Sequence, residues 1–108
     1  MDAQPRILTL YAQLEAAHRQ ALDRARLGNW DEAAAIGGTA QSIISKLTAL
    51  EAGATLSAAG LREKKERIER TLGLVTELRG LAEPARAETA AQLSENALRG
   101  RISNSYGV

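Results

Sequence analysis

For chemistry, this 108-residue chain offers a single histidine, thirteen carboxylates and no cysteine. His18 has no second imidazole or thiolate to share a metal with. It falls on the apolar face of the first helical segment, where a packed or partly exposed structural histidine is expected. The carboxylates alternate with basic residues instead of pairing with one another. Glu63 precedes Arg67, and Glu66 precedes Arg70, by the four residues that stabilise a helix by about 0.3 kcal/mol per pair. The run from Arg62 to Arg70 therefore reads as a solvated helical face. No glycine-rich phosphate loop, nucleophile elbow or zinc spacing occurs. The expectation is a chain without catalytic residues, metal or cofactor.

The bulk composition narrows the field further. Fourteen basic against thirteen acidic side chains leave a net charge of +1, so no general field attracts a phosphate backbone. The absence of cysteine removes disulfides and fits a reducing cytoplasm. Met1-Asp2-Ala3-Gln4-Pro5-Arg6 lacks the pattern of a signal peptide, and no apolar run reaches the ~18 residues of a membrane span. A soluble, cytoplasmic single domain over 1–108 is expected.

Its residues call for helices. Twenty-one alanines and fifteen leucines stand against two valines, Val75 and Val108, and no phenylalanine. Alanine has the best helix propensity, and the β-branched enrichment of strands is missing. Pro5 suits a first helical turn. After it Ile7, Leu10, Tyr11, Leu14, Ala17, His18, Ala21, Leu22 and Ala25 share one face, predicting a helix over 5–27. Gly28 ends it. Asn29 caps a second helix over 30–52, and Glu32 completes a reciprocal capping box. Ala33, Ile36, Ala40, Ile43, Ile44, Leu47 and Leu50 face inward there. So short a connection requires antiparallel packing. Within it Gly37-Gly38 marks either a loosened turn at an exposed position or a close approach by another backbone, the first being favoured.

Gly53 stops the second helix, and Ser57 caps a third over 58–82, with Gly60 a weak spot in its first turn. Leu61, Ile68, Leu72, Val75 and Ala82 form one stripe of that helix. Leu74, Leu78 and Leu81 form a second, turned roughly 100° from the first. Together they exceed what a helix at the edge of a small bundle needs, so a fourth helix, a twin subunit or a client must cover the second stripe. Pro84 should kink or end the helix. A short, loosely docked helix over 85–98 and a tail over 99–108 complete an all-α antiparallel bundle. On composition alone Arg99, Arg101 and Tyr106 read as a frayed end.

The turn Leu27-Gly28-Asn29-Trp30-Asp31-Glu32 resembles that of the FliT family of bacterial flagellar export chaperones. Ile7, Tyr11 and Leu14 are similar to the family's opening helix. The stretches Ile68–Leu72 and Glu77–Leu81 are similar to its third, and Arg101–Gly107 resembles its Tyr-Gly ending. The resemblance implies a protein that binds the filament-cap protein before type III export. It also implies contacts with the export ATPase and its regulator and, in some bacteria, with the flagellar master transcriptional activator. Partner binding is then expected at Ile68, Leu72, Val75, Leu78 and Arg79, with Tyr106 contacting the export machinery. Ordinary core is an equal reading for Ile68, Leu72 and Val75. The segment after Pro84 would shield Leu74, Leu78 and Leu81 until a client helix displaces it. The runner-up is a self-associating bundle, a homodimer closed through the second stripe. Direct nucleic-acid binding is opposed by the interleaved charges.

Overall fold

A computed structural model describes the backbone of residues 2–105 and the side chains of residues 2–84. Among the described residues the regular structure is helical throughout: α1 (Gln4–Arg26), α2 (Trp30–Glu51) and α3 (Ala58–Ser105). Pro5 stands in the first turn of α1. The apolar face that follows is buried at Ile7, Tyr11, Leu14, Ala17, Ala21, Leu22 and Ala25. His18 is half-buried, its Nδ1 2.9 Å from the Leu14 carbonyl oxygen, in keeping with a structural histidine.

Gly28 takes a positive φ of 77°, which residues with a Cβ rarely adopt. That conformation turns the chain back on α1, so the Gly28 N–H donates to Ala25 O and the Asn29 N–H to Arg24 O. Asn29 Oδ1 accepts from the Glu32 N–H at 3.4 Å. Only this half of the expected capping box forms. The Asn29 donor is already occupied by Arg24 O, and the Glu32 carboxylate instead lies 3.1 Å from Arg24 Nε.

α1 and α2 pack antiparallel, so Tyr11 near one end donates its hydroxyl hydrogen to Glu51 at the far end of the other. Between them Ile7, Tyr11, Leu14 and Ala17 meet Ala40, Ile43 and Leu47. The alanines in this seam let the backbones approach without bulky side chains. Leu10, Ile36, Leu50, Leu56 and Ile68 border the core.

Gly37 and Gly38 are exposed, and a Cβ added to either would meet nothing within 4 Å. They mark a loosened turn rather than a close backbone approach. Gly38→Ala should therefore stabilise the protein by about 1 kcal/mol, removing backbone entropy from the unfolded chain. Thermal unfolding would read this as a rise of about 5 °C; an unchanged or lower midpoint would contradict the open placement.

Gly53, with φ 78°, follows the end of α2. Ser57 caps α3 by accepting the Gly60 N–H at 3.0 Å. Gly60 is more than a weak spot. It is buried against Gln4, whose Oε1 accepts the Ser57 N–H at 2.6 Å and would lie 2.8 Å from an added Cβ.

Of the two outcomes expected at Pro84, the ending of the helix does not occur. Residues 58–82 and 85–98 are not separate helices; Pro84 lies inside α3, which runs to Ser105. Proline removes one donor and crowds the carbonyl four residues earlier, at a cost of about 3 kcal/mol. Ala82, Glu83, Ala85, Arg86 and Ala87 around it are strong helix formers, and elongating an existing helix avoids the cost of a new nucleus. Residues 85–98 therefore belong to the same helix as Leu74, Leu78 and Leu81.

Two compact units are defined, Met1–Leu78 and Arg79–Val108. In the second, Arg79 and Leu81 are exposed and Ala82 is half-buried.

Candidate functional site

The rotation of α3 within the first unit is fixed by two polar clusters. Glu15 lies on α1 between Tyr11 and His18 and is buried, with 5% of its surface exposed. Arg67 Nη1 donates to its carboxylate at 3.1 Å and Arg70 Nε at 2.5 Å, while Arg19 stands 3.8 Å away. Burial alone would push the Glu15 carboxyl up. The Arg70 hydrogen bond and the charges of Arg70, Arg67 and Arg19 outweigh it and hold the carboxyl below its ordinary value. The run from Arg62 to Arg70 is thus not simply a solvated face. Arg67 and Arg70 turn from the carboxylates one helical turn away to one on another helix, because a buried anion without partners would be far costlier.

The second cluster joins all three helices. Lys64 Nζ donates to Glu51 Oε2 at 2.8 Å and sits 5.6 Å above the centre of the Tyr11 ring. Burial, then the Glu51 carboxylate, holds the Tyr11 phenol above its ordinary value. Burial opposes ionisation of Glu51 as well, yet hydrogen bonds from Lys64 and Tyr11 keep it below the usual carboxylate range. A surface pair, Arg26 with Glu77 at 2.8 Å, closes the far end of α1 on α3.

With Gly60, Thr71 and these cations turned toward α1 and α2, the first apolar stripe is split. Ile68 packs against the core and Val75 is half-buried, but Leu61 and Leu72 are 53% and 58% exposed. Leu61 lies seven residues before Ile68, Leu72 four after and Val75 seven after, so the four share one side of α3. Thr71 takes the buried position beside Leu72, its hydroxyl donating to Arg67 O. On α2 the inward assignment of Ile44 fails in the same way. Ile43 is buried and Ile44 is 39% exposed.

The second stripe also divides. Leu74 and Leu78 are half-buried, while Leu81 is exposed in the second unit. Of the expected partner-binding residues, the structure brings Ile68, Leu72, Val75 and Leu78 together on α3 of the first unit. Arg79 belongs to the second unit, and Tyr106 lies outside the described residues. Sequence reasoning missed Glu15, Glu51 and Lys64. The signal for Glu15 was its spacing, since Tyr11, Glu15, His18 and Leu22 follow one helical side on which an acid requires cations.

Among the described residues no group of acids and histidines is arranged to hold a metal, and no helix is long and apolar enough to cross a membrane. What these observations define is a protein that is helical over its described residues, with an apolar strip facing outward beside a polar-locked core. A family model described as "Flagellar protein FliT" matches residues 8–108. The chain belongs to the FliT family of flagellar proteins. No curated protein and no solved structure matches it.

Proposed function

We propose that this chain is a cytoplasmic flagellar export chaperone, a binding protein without enzymatic activity or cofactor. It holds the filament-cap protein before type III secretion. Through further contacts it meets the export ATPase and its regulator, and the flagellar master transcriptional activator where that regulator is present. Its scaffold is a helical bundle, with Leu61, Ile68, Leu72 and Val75 of α3 presented to the client.

The observation that carries this reading is the exposure of Leu61 and Leu72 on the same side as core-packed Ile68. Burying a leucine is worth about 2 kcal/mol, so leaving two in water forgoes stability that a partner can recover. A client's amphipathic helix, with apolar residues three and four apart, matches such a strip. Half-buried Leu78 and exposed Arg79 contribute further partner contacts. The Tyr-Gly ending, with Tyr106, contributes the export-machinery contact.

Titrating the purified chain with the C-terminal segment of its own organism's filament-cap protein tests the proposal. Saturable binding at micromolar concentration is the expected result, and its absence with well-folded material removes the chaperone reading. The same exposed strip also supports self-association into a homodimer. A dimer that stays closed when cap segment is added favours that alternative.

A further inference from the structure

A second surface lies between α1 and α2, formed by Pro5, Arg6, Thr9 and Leu10 on one wall and Lys46, Ala49 and Leu50 on the other. It is an open groove with a volume of about 550 Å³, and its residues are distinct from the α3 strip. Each wall has the same arrangement, a cation four residues before a leucine: Arg6 with Leu10, Lys46 with Leu50. Because the two helices run antiparallel, these pairs point in opposite directions. The cations therefore stand on opposite walls and at opposite ends of a floor made by Leu10 and Leu50, both half-buried.

The charges here lack the carboxylate contact that most described cations of this chain make. Arg19, Arg24, Arg26, Lys64, Lys65, Arg67 and Arg70 all reach a carboxylate within 4.0 Å. Among the described residues Arg6 and Lys46 do not, nor do Arg62 and Arg79 on α3; Arg6 and Lys46 are the two that share one groove. α2 holds no acid between Glu32 and Glu51, so nothing on that wall screens Lys46. Arg6 also stands in the first turn of α1, which contains no acidic residue. There the helix dipole disfavours a cation. Asp2 at the start of α1 accepts the Gln4 N–H at 3.0 Å and moderates that field, but two cations without a carboxylate in contact still flank one apolar floor and favour a ligand of opposite sign.

We infer that this groove docks an acidic amphipathic helix of a partner protein. The partner's apolar residues would lie on Leu10 and Leu50. An acidic residue on each flank, about one turn apart, would face Arg6 and Lys46. This inference goes beyond the proposed α3 client strip and does not depend on it.

The test uses two alanine-rich peptide helices of about six turns, beyond the ~12–15 residues at which isolated helices are marginal. They share one leucine stripe, and their flanks are glutamate in one and lysine in the other. Amide shifts of the full chain are followed by NMR in low salt. The glutamate peptide should perturb Thr9, Leu10, Ala49 and Leu50, bind at least about tenfold more tightly than the lysine peptide, and weaken as salt is raised. In Arg6→Glu/Lys46→Glu the preference should invert, and Arg6→Ala/Lys46→Ala should abolish it should the reversal fail to fold. Failure of the glutamate peptide to bind, shifts centred on Leu61 and Leu72, or binding indifferent to both double variants would overturn the inference. Loss of cap-protein binding with this preference intact would defeat the chaperone reading alone.

Discussion

Glu15→Gln should destabilise the protein by about 2 kcal/mol, between the 3–5 kcal/mol cost of breaking a fully buried ion pair and the 0–1 kcal/mol worth of an exposed one. The intermediate value follows from geometry. The carboxylate is buried, whereas the guanidinium groups that surround it are partly in water. Glutamine keeps the shape and one acceptor, so the loss reports charge rather than packing. For a unit of this size the shift in melting temperature is about 10 °C downward. Arg67 and Arg70 also set the rotation of α3, so a loosened α3 should accompany the loss. Protection of its amides between Lys64 and Leu74 should fall more than that of α1. A variant melting within a degree or two of the parent would show the cluster to be ornamental.

The pH dependence has a definite sign. Glu15 and Glu51 are both held below the ordinary carboxylate value in the folded protein. Their contribution is therefore present above the unfolded value of about 4.3 and is lost as pH falls through the folded values. Acid unfolding of Glu15→Gln should be shallower than that of the parent, because one of the two groups responsible has been removed.

The second large effect concerns binding. Leu72→Asp should weaken capture of the cap-protein segment by about 100-fold, the size expected of a central apolar anchor. Its stability should change by no more than about 0.5 kcal/mol, because the side chain is 58% exposed. Leu78→Asp should behave differently. Leu78 is half-buried, and a carboxylate there loses water without gaining a partner, so melting falls together with binding. Equal binding losses with unchanged melting in both variants would instead place the docking surface on the second stripe.

Much of the fold is legible in the sequence because its signals are local. The α1 face, the Gly28–Asn29 turn, the Ser57 cap and the stop at Gly53 each depend on a few adjacent residues, and the structure shows each of them. Pro84 misleads because its penalty is local, while the helix formers on both sides act cooperatively. The rotation of α3 is legible least. Apolar spacing alone places Leu61 and Leu72 inward; the choice is made by Lys64, Arg67 and Arg70 reaching Glu51 and Glu15 on other helices. Such long-range ion pairs leave no periodic trace. They turn the expected core stripe partly outward, and with it the candidate docking surface moves from Leu78 toward Leu72.

The proposed export role requires the outward leucines of α3 to meet the client. Leucine-methyl NMR of the chain, titrated with the filament-cap C-terminal segment, observes them directly. The methyls of Leu61 and Leu72 should shift and saturate with the binding isotherm, while those of buried Leu14, Leu22 and Leu47 stay nearly still. Saturable binding that leaves Leu61 and Leu72 unmoved would contradict it.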